Sequence, residues 1–438
     1  MKRSNRIFAA AGCIVLIIIS WAVVLNSKSN GEKQAELISQ AETYIKDEVY
    51  VLAVPLLEEA AGYEAAHTPE AEKELKIIYL QLIDQKGYRR KYTELLEKQM
   101  NRKNAPPEIF FEAASYYLEI SKYSEAYAIL KKGIAKTGDD SLADLYESNR
   151  YRYNIGHSIY ENVTAISGST VGVQANGFWG LANSDGTLLI PCEYEKISAC
   201  SSGRAIVMKN GKIFAVDKSN NRLALAKENA IDFGNYADDR VTLLTNEGWK
   251  RASGDFEMGS AAFEEIGTYS NGYAAAKQNG KWGLVDKSTK WLIPAEYDRI
   301  MMDELGRSYA QSAAFVAKGD SVYLFVGGKQ LETPYEDAKP FGDEGYAAVK
   351  KNGKWGFVDT KGEVMINFQF EDALSFGQHL AAIKDGEFWG YVSLYGKIAI
   401  EPIFLQAKSF SDGNAPVLTN SGWQFITLLE YKKGAGFF

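Results

Sequence analysis

The chain has 438 residues, which is long for a single hydrophobic core and predicts two or three domains. Its 46% hydrophobic and 24% charged residues are typical of globular proteins and exclude a mainly disordered chain. A net charge of −7 excludes binding of nucleic acid through a bulk positive field, and three histidines with three cysteines leave little material for a metal cage or a disulfide framework.

The first predicted element is a transmembrane helix, Ile7 to Leu25. This run carries no charge, and as a helix it would be about 28 Å long, close to the hydrocarbon thickness of a bilayer. Basic residues within the tail over residues 1–6 predict a cytoplasmic N-terminus and an extracytoplasmic location for the bulk of the chain. A cleaved signal peptide is the alternative, although no small-x-small cleavage site follows the apolar run. Ala10-Ala11-Gly12-Cys13 resembles a lipoprotein signal, but the long apolar stretch follows the cysteine instead of preceding it.

After a linker over residues 26–31, residues 32–155 have a helical pattern, because apolar residues recur every three or four positions and proline is scarce. The same mutual spacing occurs in two stretches, Tyr44, Ala53, Leu57 and Ala60, and Tyr117, Ala126, Leu130 and Gly133. This spacing resembles the tetratricopeptide repeat, in which a small residue lets two helices approach closely. The resemblance implies three helix pairs and a groove that binds a peptide. A generic helical bundle that acts as a stalk is the alternative.

From residue 156 to the C-terminus, a motif recurs about every 34 to 36 residues. Its core, Asn-Gly-Lys-Trp-Gly-x-Val-Asp, occurs in full at residues 279–286 and 352–359, with looser copies at 176–181 and 385–392. These residues resemble the WG-repeat family, named for its Trp-Gly pair. The resemblance implies a repeat module without assigned catalysis, found largely in bacterial proteins. The predicted structural core of the repeat consists of Trp179, Gly180, Trp249, Trp282, Gly283, Trp355, Gly356, Trp389, Gly390 and Trp423.

Each unit predicts several short strands joined by tight turns. Asn-Gly is the preferred two-residue hairpin turn, because both positions take positive φ. Such repeats form either a β-propeller or a β-solenoid. Residues 160–173 resemble the closing half of a unit and residues 423–429 its opening half, so the two ends could share one blade. The predicted fold is therefore multidomain: one transmembrane helix, tetratricopeptide-like helices over 32–155, and an all-β domain over 156–438 that is a propeller of seven or eight blades.

No catalytic, metal or cofactor site is predicted. The sequence lacks a phosphate-binding loop, a His-Glu-x-x-His pair and a Gly-x-Ser-x-Gly elbow. The recurring carboxylates Asp217, Asp286 and Asp359 are predicted to be turn residues, with calcium ligation as the alternative. Cys192 and Cys200 lie in one unit and could form a disulfide outside the cytoplasm, with two buried thiols as the alternative.

Trp291 lies outside the register of the other tryptophans and is predicted to be an exposed aromatic that binds a ligand. The function predicted from the sequence is a membrane-anchored, non-catalytic scaffold of the bacterial envelope that binds protein partners and no nucleic acid. A module that binds cell-wall glycan or another polysaccharide is one alternative, and it requires exposed aromatic side chains, with Trp291 among them. A propeller-type hydrolase is a lesser alternative.

Overall fold

A computed structural model of the protein describes residues 29–226 and 229–430. The chain divides into two compact units, which meet in the sequence between Tyr146 and Glu147. The segment Ile7 to Leu25 lies outside the described residues, so the membrane anchor stays a prediction. Within the described residues, no helix combines the length and the apolar character needed to cross a bilayer.

The first unit contains seven helices among its described residues. They are α1 (Asn30–Lys46), α2 (Tyr50–Gly62), α3 (Thr68–Gln81), α4 (Tyr88–Met100), α5 (Pro107–Glu119), α6 (Tyr123–Thr137) and α7 (Asp140–Glu147). Consecutive helices pack side by side, so α1 with α2, α3 with α4, and α5 with α6 form three pairs. The predicted helical repeats are confirmed.

Local sequence signals set the helix ends. Ser29 and Glu32 form a capping box at the start of α1, in which the Ser29 N–H donates to the Glu32 carboxylate at 2.7 Å. Pro107 occupies the first turn of α5, where its missing N–H would have no helical partner. Gly138 follows α6 with a φ of 66°, a left-handed conformation that ends the helix.

The small residues at matched positions lie where paired helices approach closely. Ala53 on α2 and Ala126 on α6 are fully buried. A Cβ atom at Gly133 on α6 would lie 2.8 Å from the Cβ of Phe110 on α5. Because that distance is shorter than a van der Waals contact, a larger residue would push α5 and α6 apart.

The second unit consists of eight four-stranded antiparallel sheets, the blades of a β-propeller. Blades 1 to 4 are β2 (Asn162–Val163), β3 (Thr170–Ala175), β4 (Phe178–Asn183) and β5 (Leu188–Tyr194); β6 (Lys196–Ile197), β7 (Arg204–Lys209), β8 (Lys212–Asp217) and β9 (Arg222–Leu225); β10 (Asp232–Phe233), β11 (Arg240–Thr245), β12 (Gly248–Ser253) and β13 (Met258–Phe263); and β14 (Glu265–Ile266), β15 (Tyr273–Gln278), β16 (Lys281–Asp286) and β17 (Trp291–Tyr297).

Blades 5 to 8 are β18 (Arg299–Ile300), β19 (Ala313–Lys318), β20 (Ser321–Val326) and β21 (Lys329–Tyr335); β22 (Asp337–Ala338), β23 (Ala347–Lys351), β24 (Lys354–Val358) and β25 (Val364–Phe370); β26 (Asp372–Ala373), β27 (Leu380–Asp385), β28 (Phe388–Ser393) and β29 (Ile398–Phe404); and β30 (Gln406–Ala407), β31 (Asn414–Thr419), β32 (Gly422–Leu428) and β1 (Tyr153–Ile155). The four strands of each blade are called A to D in this order. Strand A is the short strand beside the propeller axis.

The repeat motif forms the B–C turn and strand C of a blade. Asn279 and Gly280 make the turn with φ values of 51° and 76°. A Cβ atom at Gly283 would lie 2.3 Å from the carbonyl oxygen of Ile293, where strand D bulges. The corresponding distances at Gly180, Gly356 and Gly390 are 2.4, 2.7 and 2.5 Å. The glycine of the Trp-Gly pair is therefore required by the close approach of strand D.

The ring closes in blade 8, where β1 from the start of the unit pairs antiparallel with β32 from its end. Tyr160 then exchanges two backbone hydrogen bonds with Trp423, both 3.0 Å long. The prediction that the two ends share a blade is confirmed, and the solenoid is excluded. The predicted closing segment, residues 160–173, is wrong in its position, since most of it forms strands A and B of blade 1. Closure depends on β1, whose three residues are too few to show an alternating pattern and lie within the range predicted to be helical.

Candidate functional site

The A–B loops and the B–C turns lie on opposite faces of the propeller and differ in how much their lengths vary. All eight B–C turns have two residues. The A–B loops lie at the opposite ends of the same strands, with six residues in blades 1 to 4, 7 and 8, eight in blade 6 and twelve in blade 5. Binding residues concentrate on variable loops that a rigid scaffold holds in place. The A–B face is therefore the candidate functional face.

A cavity of about 430 Å³ lies on the propeller axis at the A–B face. The A–B loops of blades 1, 4, 5, 6, 7 and 8 line it. Its buried apolar wall consists of Ile166, Phe341, Phe376 and Phe410. Its charged lining consists of Asp303, Glu304, Arg307, Lys339 and Asp343. The cavity thus combines an aromatic wall with charges of both signs, a lining typical of binding sites.

The aromatic wall is rigid because each ring inserts between two blades. Phe376, in the A–B loop of blade 7, lies edge-on to Phe357 of blade 6, with ring centroids 4.8 Å apart. Phe410 in blade 8 makes the same contact with Tyr391 of blade 7 at 4.7 Å. Core packing therefore fixes the Phe376 and Phe410 rings at the cavity, in the edge-to-face geometry that aromatic pairs favour.

The long A–B loop of blade 5, residues 301–312, crosses the axis and is called the blade 5 loop. The Asn235 side chain of blade 3 donates to the Leu305 carbonyl at 2.9 Å. The Thr268 N–H of blade 4 donates to the Gly306 carbonyl at 2.8 Å. Glu304 forms an ion pair with Lys408 of blade 8 at 2.6 Å. One loop therefore bridges three other blades and forms a wall of the cavity.

The tip of the blade 5 loop is organised by Asp303. Its Oδ1 accepts the N–H groups of Leu305 and Arg307, both at 2.9 Å. Its Oδ2 accepts the Arg307 Nε–H at 2.6 Å. Next to the tip, burial raises the pKa of Tyr309, whose ring centroid is 4.8 Å from that of Tyr273. Two carboxylates of the cavity, Asp303 and Glu304, are thus engaged in ion pairs.

Sequence reasoning missed the blade 5 loop and the axial cavity. The signal that could have found the loop is repeat spacing. Positions equivalent to the motif tryptophan are 33 to 36 residues apart, except between Trp282 and Val322, where the separation is 40. The extra residues mark an insertion, and a long loop inside a regular repeat is frequently functional.

The tryptophans of the motif pack inside the blades and do not line the axial cavity. Trp282, Trp355 and Trp423 are buried, and Trp179, Trp249 and Trp389 are half-buried. Lys277, Lys339 and Lys408 place their ammonium groups over the rings of Trp282, Trp355 and Trp423, respectively. The motif residues therefore build the scaffold, and none of these tryptophans lines the cavity.

Trp291 is not the exposed aromatic that its irregular register predicts. It is half-buried at the start of strand D in blade 4 and packs edge-on to Phe263 of blade 3, with ring centroids 6.0 Å apart. Because Trp291 lies outside the register of the motif tryptophans, its ring packs at the interface with blade 3 and does not extend into solvent. The exposed aromatic on which the glycan-binding alternative depends is therefore absent at this position.

Cys192 and Cys200 are free thiols, which corrects the predicted option of a disulfide. Cys192 packs at the interface of blades 8 and 1, near Phe425. Cys200 packs at the interface of blades 1 and 2, near Phe214. Because the two side chains lie on opposite faces of one blade, their proximity in sequence does not bring the sulfur atoms together.

The recurring aspartates are turn residues, as predicted. Asp286 Oδ1 accepts the N–H groups of Ser288 and Lys290 at 2.8 and 2.9 Å, and Asp217 and Asp359 make the same pair of bonds in their own blades. No cluster of potential metal ligands occurs within residues 29–226 and 229–430.

The repeat motif and its geometry agree with a known family. The profile of the family described as "WG containing repeat" matches residues 179–212, 260–282, 282–306, 335–355, 355–387 and 389–423. The C-terminal half belongs to the WG-repeat family. No curated protein matches the chain.

Several solved structures resemble the WG-repeat propeller. "Crystal structure of the eukaryotic initiation factor" is 12% identical, with 57% of this chain and 78% of that chain covered and a TM-score of 0.39. The Pan2 WD40 domain of Neurospora crassa is 10% identical, with 63% and 91% covered and a TM-score of 0.34. "YCF48 bound to D1 peptide" is 12% identical, with 62% and 99% covered and a TM-score of 0.33. Likeness at this level assigns no function to the WG-repeat chain.

Proposed function

We propose that this protein is a membrane-anchored, non-catalytic scaffold whose WG-repeat propeller binds a segment of a protein partner on the extracytoplasmic side. The observation that carries the proposal is the contrast between the A–B loops and the B–C turns at opposite ends of the same strands. The eight B–C turns are uniform, whereas the A–B loops vary from six to twelve residues around the axial cavity. A rigid ring with one variable face suits the presentation of a binding surface.

The lining of the cavity suits a peptide segment that carries both apolar and charged side chains. Phe341, Phe376 and Phe410 offer aromatic contacts to an apolar residue. Lys339 and Asp343 offer charges of opposite sign near them. Aromatic anchors in the centre with charges around them are the arrangement that gives protein interfaces their affinity and their register.

Binding is favoured over hydrolysis by the state of the carboxylates. A glycosidase needs two acidic groups on either side of a scissile bond. In this cavity Asp303 is held by two backbone N–H groups and Arg307, and Glu304 is held by Lys408. Groups committed to holding the blade 5 loop are poorly placed to transfer protons to a substrate.

The membrane anchor in this proposal is supported by the uncharged run from Ile7 to Leu25 and by the basic residues before it. Protease added outside intact cells or spheroplasts should degrade the propeller. Full protection of the propeller, together with cleavage of a control surface protein, would show that the orientation is reversed.

The binding face is tested by site-specific photocrosslinking in the full-length protein in its native membrane. A photoreactive residue replaces Asn271 or Asp343, both exposed at the cavity. The matched controls carry it at Asn279 or Asn352, both exposed on the B–C turns of blades 4 and 6. We expect discrete protein adducts from the first pair and none from the second. Adducts of equal yield from both faces, or from the B–C turns alone, would refute the assignment.

A further inference from the structure

Blade 3 breaks the core pattern of the propeller at one buried position. The residue two places after the motif tryptophan on strand C faces the next blade, and in the seven other blades it is Leu181, Ala215, Leu284, Leu324, Phe357, Tyr391 and Phe425, each at most 1% exposed. In blade 3 this position is Arg251, which pairs with Thr242 on strand B. An arginine therefore stands where every other blade has an apolar side chain.

A second arginine, Arg240, lies on the same face of blade 3. It pairs with Ser253, two residues from Arg251, so the two arginines are diagonal neighbours across strands B and C. Both are half-buried. Neither side chain forms an ion pair with a carboxylate of the described residues, and the bond from Arg240 Nη1 goes to the Asp239 carbonyl at 2.8 Å. Like charges held this close without a counter-charge destabilise the fold.

Blade 2 shows how the same position is neutralised elsewhere. Arg204 is the equivalent of Arg240, and its Nη1 lies 2.8 Å from Asp255 in the C–D turn of the following blade. The residue equivalent to Asp255 in blade 4 is Ser288, which follows Lys287. Arg240 thus faces a turn that lacks the acid its equivalent uses, and the Lys287 ammonium of that turn pairs with Asp238 at 3.8 Å.

Three buried polar atoms lack a partner at this interface. They are Arg240 Nε, Arg251 Nε and Thr242 Oγ1, and none makes a hydrogen bond to a described residue. Thr242 is only 1% exposed. Buried donors are nearly always satisfied in folded proteins, so a cluster of three indicates an acceptor that the chain itself does not supply.

One buried side chain of the facing blade is affected by the charges of both arginines. Tyr269, in the A–B loop of blade 4, is 1% exposed. Burial raises its pKa to about 12, while Arg251 and Arg240 both act in the opposite direction. The nearby carboxylates have other partners, since Asp238 accepts the Gly272 N–H at 2.7 Å and Asp286 holds its own turn.

We propose that Arg240 and Arg251, with the Thr242 hydroxyl, bind an oxyanion at the interface of blades 3 and 4. The guanidinium forks match the geometry of a phosphate or carboxylate group, and the site lies apart from the axial cavity. A bound anion neutralises the arginine pair and satisfies the unpartnered donors. The proposal does not depend on the partner-binding role of the cavity.

The test is thermal unfolding of the full chain in chloride, in inorganic phosphate and in acetate at matched ionic strength. We expect a Tm about 2–4 °C higher in one of the oxyanions than in chloride. Response to phosphate alone identifies a phosphate site, and response to both identifies a site that accepts carboxylates. Arg251→Leu restores the residue type of the other blades, and Arg240→Tyr copies Tyr273 of blade 4. Both variants should fold and lose the response.

Arg204→Tyr is the matched control, because Arg204 occupies the equivalent position in blade 2 but has Asp255 as its partner. It should keep the full response to the oxyanion. The proposal is overturned if the three salts give the same Tm for the parent chain, or if both Arg251→Leu and Arg240→Tyr keep the shift. An equal loss in Arg204→Tyr would also overturn it, since the effect would then be general charge screening.

Discussion

Closure of the ring by β1 makes a covalent test possible. Asn154 on β1 lies directly opposite Thr427 on β32. Facing residues in an antiparallel pair have Cα atoms about 4.5–5.5 Å apart, within the range that a disulfide spans. We therefore expect Asn154→Cys with Thr427→Cys to crosslink on mild oxidation, in a chain whose native cysteines are replaced by alanine.

The size of the stabilisation follows from the loop that the bond closes. The crosslink would enclose about 270 residues, and the chain-entropy relation then gives about 5–6 kcal/mol at 25 °C. Part of this gain is lost because the Thr427 hydroxyl donates to Asn414 at 2.6 Å, a hydrogen bond that the substitution removes. The net gain in the free energy of unfolding should be about 3–5 kcal/mol.

Guanidinium unfolding followed by tryptophan fluorescence measures this gain, because seven of the eight tryptophans lie in the propeller. The reduced double variant and the single variant Asn154→Cys are the controls. The reduced double variant should be less stable than the cysteine-free parent by about 1 kcal/mol, because it lacks the Thr427 hydrogen bond, and Asn154→Cys should unfold close to the parent. A second double variant, Asn154→Cys with Thr419→Cys, places the second thiol on strand B of blade 8 and should not crosslink. If the Asn154–Thr427 pair stays reduced under oxidant, or crosslinks without raising the unfolding midpoint, then β1 does not close the ring.

Three further predictions follow from the packing and the charges. Gly356→Ala places a Cβ atom 2.7 Å from a strand D carbonyl oxygen and should lower the stability of the propeller by about 1–3 kcal/mol in denaturant unfolding. Arg102→Ala leaves the buried carboxylate of Glu72 without its 2.6 Å partner and should destabilise the helical unit by about 1–3 kcal/mol, whereas Arg90→Ala, which breaks an exposed pair, should change stability by less than about 0.5 kcal/mol. Tyr269 has a pKa of about 12 in the folded state and about 10 when unfolded. Its contribution to the free energy of unfolding is therefore complete below pH ~10 and is lost as the pH rises to ~12. Tyr269→Phe should flatten the fall in the free energy of unfolding between pH ~10 and ~12.

Much of the fold could be predicted from the sequence because repeats reinforce a weak local signal. The Asn-Gly turn and the Trp-Gly pair each require one backbone geometry, and their recurrence fixes the length of a blade. The sharing of a blade between the two ends was also predictable from two incomplete units. The closing strand was not, since Tyr153 to Ile155 carry no motif and follow directly on a helical region. Their strand conformation is imposed by pairing with β32, a contact distant in sequence.

The candidate sites were harder to predict because they depend on departures from the repeat. Trp291 illustrates the difficulty, since its irregular register suggested solvent exposure and the structure places it against Phe263 in the next blade. The blade 5 loop has no recognisable motif, and its role depends on contacts with blades 3, 4 and 8. Glu304 and Lys408 are 104 residues apart in the sequence, so only the circular arrangement of the blades brings the pair together.

Among the A–B loops and the B–C turns, the departures from the repeat occur on one side of the ring. The insertion in blade 5, the longer loop of blade 6 and Arg240 at the start of strand B all lie at the A–B end of their blades. The B–C end keeps its two-residue turn in every blade. The A–B loop and the B–C turn each join two antiparallel strands of a blade. Stability alone therefore gives no reason for the A–B loops to vary in length while the B–C turns stay constant. The proposed binding role of the A–B face would account for this asymmetry, because ligand contact acts on the loops that meet at the axis and leaves the B–C turns under the demands of folding alone.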